Sequence, residues 1–532
     1  MARIKIYGPP GCGKTTSLIN IVEQELAAGV APSEIIYTSF TRAAAAEARS
    51  RAQRKFTQYD KKAFHYFSTI HSICHRELGI KKDQMFTDKK LDEFSKVFKY
   101  QLSGLDPTRE GLPDSPYKEG VLQTECDYAE FFCHWHLHRM LPLQDAFKIF
   151  MQEHQEVPPA FNQRYLLNYM ERRLAFKNQY NLVDYTDLLV KALELGLCPD
   201  GIRVVVRDEE QDSSPLLSKV ADLWSRKAER VYLAGDPEQA IYDWSGAVPR
   251  LFMDWDADET VVLQEGHRCS RAVTMQARVV QSRMRNRYAG DRFTPTSVPG
   301  ESRHVGYVNW MELIAENKDI FFLHRTRWLV SKSYSELMDN GIPFHVLRGK
   351  EPPLQKKIGE VFRALYLLLE DQQITIQQLC DIADKVSATP WMERGAKTQI
   401  KEREEERPQD QVYITDMPGL GFRPDFMLHL KRADFRPILK GEPDEITYLE
   451  RLYQHHGIKV FQSTPRLKVG TYHSVKGMEA DIVVLNPEFT TMVKRAYALN
   501  PEPEHRLMYV GVTRAKEKVI RLMPNNGGGY TI

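Results

Sequence analysis

The sequence predicts an α/β protein built on parallel sheets, and three segments carry that expectation. "RIKIYGPPGCGKTTSLINIVEQELAAG", residues 3–29, reads as a short apolar strand, a glycine-rich turn and an amphipathic helix that ends near Gly29. "GIRVVVRDEEQDSS", 201–214, places an apolar run directly before a block of acids. "RVYLAGD", 230–236, is a second run of the same kind. Short runs that are apolar throughout are what strands buried on both faces look like, and sheets with both faces covered are parallel. At 532 residues the chain is too long for a single hydrophobic core and calls for about three or four folding units.

The first segment has a chemistry of its own. Gly8 to Thr15 fills the pattern GxxxxGK[ST]. Glycines at 8, 11 and 13 let backbone N–H groups turn inward around phosphate oxygens, and the start of the helix adds its partial positive charge. The candidate triphosphate cradle is therefore Gly8, Pro9, Pro10, Gly11, Cys12, Gly13, Lys14, Thr15 and Thr16. Lys14 would reach the outer phosphates and the Thr15 hydroxyl would ligate Mg²⁺, which makes ATP and Mg²⁺ the expected cofactors. A chance glycine-rich turn is the plain alternative, and the strand-turn-helix context weighs against it.

Hydrolysis needs a carboxylate pair at the end of a neighbouring strand, one for the metal and one for the attacking water. The run Ile202 to Val206 is the expected strand, with Asp208 as metal ligand and Glu209 as base at its carboxyl end. The plain alternative is a solvated acidic turn. After "RVYLAGD" comes "PEQAIYDWSGA", where Gln239 stands as a γ-phosphate sensor, followed by the rings of Tyr242 and Trp244.

These segments, in this order, resemble the UvrD/Rep/PcrA-like branch of superfamily 1 DNA helicases. Further blocks extend the resemblance: "SFTRAAAAEARSR" (39–51), "STIHSICHREL" (68–78), "DYTDLL" (184–189), "LQEGHRCS" (263–270), "FFLHRTRW" with "GIPFHVLRG", "GTYHSVKGMEADIVVL" (470–485) and "EHRLMYVGVTRAK" (504–516). The resemblance implies two RecA-like motor domains, 1–75 with 182–262 and 263–370 with 466–532. Each carries a mainly helical accessory insertion, at 76–181 and 371–465. It implies catalytic roles for Arg268, the arginine finger, and Arg514, and a ribose or coupling contact for Glu479. It also implies a nucleic-acid track on which Phe40, Tyr242 and Trp244 stack bases, with Thr41, His71, Arg325, His473 and Lys476 as polar or phosphate contacts. The implied activity is a 3′→5′ translocase stimulated by single-stranded DNA that unwinds duplexes and acts at single-strand/duplex junctions.

Composition narrows the field further. Hydrophobic residues at 42% and charged residues at 27% describe an ordinary folded chain. No apolar run approaches the roughly 18 residues of a membrane span, so no membrane role is expected, and a monomer in the cytoplasm is. The net charge of only +2, from 73 Lys plus Arg against 71 Asp plus Glu, requires any nucleic-acid contact to use a local basic surface. Seven scattered cysteines, without CxxC spacing, are expected to be reduced thiols. Cys126, Cys133, His134 and His138 invite a zinc reading, but the spacing favours a packed helix with partly exposed histidines. "RPDFMLHLK", 423–431, is faintly similar to a nuclease strand; "KEREEER", 401–407, reads as a solvated helix face; the tail "PNNGGGYTI" reads as frayed.

Three departures from the family pattern stand out. The chain ahead of the P-loop is too short for the glutamine segment that reads adenine, so a looser preference for ATP over GTP is expected. Ser245 replaces an arginine before Gly-Ala, and Arg42 and Ala43 replace Asn-Lys. Rival readings are a translocase that strips proteins without unwinding, a non-catalytic nucleic-acid-binding module that keeps the fold, and a clamp-loader-type assembly ATPase. The last leaves the 470–485 and 504–516 blocks unexplained.

Overall fold

The computed structural model describes residues 2–103, 122–153, 157–285, 287, 293–524 and 528–531. The chain divides into two compact units: Met1–His304 with Tyr472–Glu479 and Pro487–Ile532, and Val305–Thr471 with Ala480–Asn486.

The first unit is organised by five parallel strands: β1 (Ala2–Tyr7), β2 (Ile35–Ser39), β3 (Val204–Asp208), β4 (Arg230–Gly235) and β5 (Glu259–Val262), in the order β2-β3-β4-β1-β5. Alternation along each strand feeds two cores. Tyr7, Ile36, Val205, Val231 and Leu233 pack to one side, and Ile6, Ile35, Tyr37, Val204, Val206, Tyr232 and Ala234 to the other. The register pairs Ser39 with Asp208 and Tyr7 with Gly235, so the strand ends that precede the P-loop, the acids and the sensor glutamine lie along one edge. β3 starts and ends two residues later than expected. Arg207 belongs to the strand and is fully buried because Glu210 and Asp222 neutralise it.

The stretch 76–181 is helical where described, with Asp88–Phe98, Glu125–Arg139, Leu143–Glu153 and Gln163–Gln179 around a core that includes Phe94, Phe132, Trp135, Phe150 and Tyr169. Helix Glu125–Arg139 corrects one expectation. His134 is only 4% exposed, held by Thr186 Oγ1 at 2.8 Å and Glu130 Oε1 at 3.2 Å. Among the described residues no His, Cys, Asp and Glu cluster suits a metal. Of the tail, residues 525–527 and 532 lie outside the described residues, and Tyr530 is packed: it is buried, its hydroxyl 2.6 Å from His505 Nδ1 and its N–H 2.8 Å from the Pro487 carbonyl.

The second unit has its own parallel sheet, with Ala480–Leu485, Ile320–His324, Leu467–Thr471 and His345–Val346 as neighbours in that order. The stretch 371–465 is mainly helical, including Ile376–Lys385, Ala396–Glu406 and Pro443–His456, with one short antiparallel pair, Ile374–Thr375 with Gln411–Val412. Residues Pro424–Lys431 form a helix with Phe426 and Leu430 buried, which removes the nuclease-strand reading. The charge run occupies the exposed face of Ala396–Glu406, as expected. Among the described residues no helix is long and apolar enough to cross a membrane.

Candidate active site

β1 delivers the chain into the glycine-rich loop, and Lys14 opens the following helix, Lys14–Ala27, which has no side-chain cap. Its first N–H groups are therefore left for an anion. Lys14 Nζ is buried and donates to the carbonyls of Gly8 at 2.6 Å and Pro9 at 3.4 Å. Burial by itself would lower the Lys14 pKa; Cys12, Asp236, Glu209 and Asp208 together raise it instead. Gly11 has φ +73°, and a Cβ on it would come within 2.3 Å of Arg268 Cβ. The segment 267–268 thus lies directly on the loop, and the His267 N–H donates to the Gly11 carbonyl at 2.8 Å. Thr16 is exposed on the first turn of the helix, while Pro9, Pro10 and Cys12 are buried.

Each acid of "DEEQD" has a separate partner. Asp208 Oδ2 accepts from Thr15 Oγ1 and from the Tyr37 hydroxyl, each at 3.0 Å. Burial, with Glu209 beside it, pushes the Asp208 carboxyl up to about 6. Glu209 has φ +58°, an unusual conformation for a non-glycine residue and one that concentrates at functional sites. Its carboxyl stays below the usual value because Lys476 and Lys14 outweigh its burial. Glu210 is the buried partner of Arg207, and Asp212 that of Lys476. Gln211 ties two strand ends together, donating to Glu209 Oε2 at 2.5 Å and accepting the Asp236 N–H at 3.0 Å.

Gln239 sits at the meeting point of three segments. Its Nε2 donates to Asp236 Oδ2 at 2.6 Å, its Oε1 accepts from Arg514 Nη2 at 2.7 Å, and its carbonyl accepts from Lys476 Nζ at 2.7 Å. Arg514 is buried, also donates to the Val510 and Met478 carbonyls, and is pulled down to about 10 by burial with Arg268 nearby. Arg268 Nε donates to Glu479 Oε2 at 2.8 Å, and Lys516 meets the other Glu479 oxygen at 3.0 Å. Lys14, Thr15, Asp208, Glu209, Gln239, Arg268, Glu479 and Arg514 therefore converge within the first unit, though they span 500 residues of sequence.

A family model for the UvrD/REP helicase N-terminal domain matches residues 2–259, and one for the UvrD-like helicase C-terminal domain matches residues 467–520. The chain belongs to the UvrD/Rep-like helicase family. It is 27% identical over 374 residues to ATP-dependent DNA helicase UvrD2 of Mycobacterium tuberculosis, which covers 63% of this chain and 50% of that protein. DNA helicase II of Haemophilus influenzae is 21% identical over 620 residues, with 96% of this chain and 80% of that protein covered. A probable DNA helicase II homolog of Rickettsia conorii is 21% identical over 613 residues, with 95% and 88% covered. The chain spans half the length of the mycobacterial relatives it matches.

In this UvrD/Rep-like chain the expected nucleic-acid residues fall into distinct settings. Phe40 is half-buried and stacked on buried Tyr242, centroids 5.0 Å apart at 26°. Trp244 meets Tyr242 at 6.3 Å and 71° and packs against the insertion core. Thr41 caps the helix Arg42–Lys55, its Oγ1 accepting the Ala44 N–H at 3.1 Å. The His71 ring lies 6.1 Å from Tyr185 and 6.4 Å from His138. Lys476 is half-buried, with its ammonium on Asp212 and 5.0 Å above the Tyr242 ring. His473 is buried in the turn His473–Val475. Arg325 is buried at the end of strand Ile320–His324, in the second unit. Sequence reading missed Tyr37, Asp236 and Gln211. Asp236 had a signal, an acid closing a parallel strand just before the sensor; Tyr37 had none, because a tyrosine in an apolar strand reads as core.

Proposed function

We propose that this chain is an ATP-driven DNA motor that is stimulated by single-stranded DNA, moves 3′→5′ along it and unwinds duplexes from single-strand/duplex junctions. The observation that carries the reading is the placing of two arginines, Arg268 against Gly11 of the phosphate loop and Arg514 on Gln239. In related phosphoryl transfer a finger arginine contributes on the order of 10³ to 10⁵ in rate, and a non-catalytic nucleic-acid-binding module has no need of two.

Thr15 and Asp208 are the residues that would hold Mg²⁺. Their oxygens already lie 3.0 Å apart, and the raised Asp208 carboxyl is the mark of a buried acid short of positive charge. When bound, the ion neutralises phosphate charge. The chain's own groups supply the rest: Lys14 and the open helix start hold the phosphates, Glu209 orients the attacking water, and Arg268 and Arg514 meet the charge that develops on the γ-phosphate. Gln239 contacts Arg514 and Asp236 with its side chain, and its carbonyl takes the ammonium that lies over Tyr242. A change at the phosphate can thereby reach the ring stacked on Phe40, which couples hydrolysis to the grip on DNA. The proposed moving parts are the two motor domains, 1–75 with 182–262 and 263–370 with 466–532. A monomer acting in the cytoplasm completes the proposal.

The test is the ATPase rate of the wild type and of Lys14→Ala with single-stranded DNA, single-stranded RNA and duplex, beside strand displacement on a forked duplex. Stimulation by single-stranded DNA, loss of turnover in the variant and an opened fork are expected. Turnover with a closed fork would replace unwinding by translocation alone; unchanged turnover in the variant would end the motor reading.

A further inference from the structure

Residues 42–76 hold eight Lys or Arg against two Asp or Glu, a larger positive excess than the whole chain's net charge of +2. The structure shows that this charge is unevenly compensated. Helix Arg42–Lys55 buries Ala45, Ala48 and Ala52, which leaves two flanks at the surface. On one flank Arg51 pairs with Glu47, and Lys55 Nζ meets Glu23 at 2.9 Å and Asn20 at 2.8 Å.

The other flank carries Arg49, whose side chain has no such pair among the described residues. Arg42, Arg49 and Gln53 align on it at the seven- and four-residue steps that repeat a helix face. Gln53 Nε2 donates to the Lys61 carbonyl at 2.9 Å, so the turn carrying Lys61 and Lys62 continues the same line. Arg49, Lys61 and Lys62 are exposed, and among the described residues their side chains have no ion-pair or hydrogen-bond partner. The line starts immediately after Phe40 and Thr41, with Arg42 set beside Tyr185, its guanidinium 5.8 Å from the ring. Between Arg42 and Gln53 it runs about 16 Å.

We infer that Arg49, Lys61 and Lys62 form a phosphate track that carries single-stranded DNA onward from the Phe40 site along this flank. A nucleic-acid strand matches it because phosphates recur along a line while the track offers cations without hydrogen-bonded pockets, the pattern of contact that gives affinity without base readout. This inference rests on the DNA-motor reading above.

The experiment measures binding of the full chain to oligothymidylates of increasing length across a salt series, by fluorescence anisotropy. Each single-strand phosphate contact contributes about 0.7 to the slope of log affinity against log salt. The set Arg49→Ala, Lys61→Ala and Lys62→Ala is expected to make the slope shallower by about 2 on long strands. Strands too short to extend past Phe40 should show no change. The charge-keeping set Arg49→Lys, Lys61→Arg and Lys62→Arg should retain the wild-type slope, and Arg49→Glu alone should shift it in the same direction as the alanine set. Equal slopes for the wild type and the alanine set at every length would overturn the track, and so would an effect confined to duplex. A wild type that binds no single strand at any salt concentration would overturn the motor reading itself, and the track with it.

Discussion

Two clusters of buried charge in the first unit use the same ingredients and come out opposite. In the insertion, Arg173 bridges Glu130 and Asp184, Lys177 adds a second cation at 2.6 Å from Asp184, and the Tyr169 hydroxyl and His134 fill the remaining acceptor positions. Both carboxyls there lie well below the usual range: burial opposes this, and the Arg173 guanidinium outweighs it. In the active site, burial pushes Asp208 up to about 6 and also raises Asp236, while Arg514 is drawn down to about 10. The insertion cluster satisfies itself and acts as a structural joint. In the candidate active site burial of Asp208 and Asp236 is not offset in this way, the arrangement expected of a site that does chemistry.

The sharpest way to break this comparison is to remove a guanidinium from each cluster. Arg268→Ala or Arg514→Ala should lower DNA-stimulated turnover by about 10³- to 10⁵-fold in a steady-state assay; survival of turnover would remove the finger role. Arg173→Ala should instead destabilise the fold by about 3–5 kcal/mol in urea unfolding, because two buried carboxylates lose their partner. Asp208→Asn should do the reverse of Arg173→Ala. It removes a buried charge that burial disfavours, so stability should rise by on the order of 1 kcal/mol while turnover collapses.

Acid titration sharpens the same contrast. A carboxyl with a depressed folded pKa contributes stability that is fully present above its unfolded value and lost as pH falls toward the folded one. Glu130 and Asp184 are both depressed, so the urea midpoint should fall as pH drops below about 4, and Glu130→Gln should flatten that fall. The smallest effect belongs to the helix that carries Arg173. Asn162 caps it by accepting the Tyr165 N–H at 3.0 Å, and Asn162→Ala should cost about 1 kcal/mol in thermal unfolding.

Legibility followed the range of the interactions. The P-loop pattern could be read because its strand, turn and helix lie within 27 consecutive residues. The start of β3 was misplaced because Arg207 looks like a polar strand end; only its pairing with Glu210 and Asp222 makes a buried arginine tolerable. His134 looked half-exposed because its partners come from elsewhere, Arg173 from 39 residues on and Thr186 from 52. The helix at 424–431 had a legible signal, Pro424 at its first position with Phe426 and Leu430 four apart, and it outweighs the strand resemblance.

By itself the sequence determined the candidate groups for phosphate, metal and water, the parallel-strand scaffold that presents them, and the family to which their order belongs. Those depend on short-range geometry and on the periodicity of apolar residues. Tertiary structure alone decided which charges are neutralised and which are left open: that Lys476 faces Asp212, that Glu479 holds Arg268, and that Arg51 and Lys55 on one flank of helix Arg42–Lys55 are paired while Arg49 on the other is not. Electrostatic partners are set by distance in space and by burial, and neither is written in the spacing of residues along the chain.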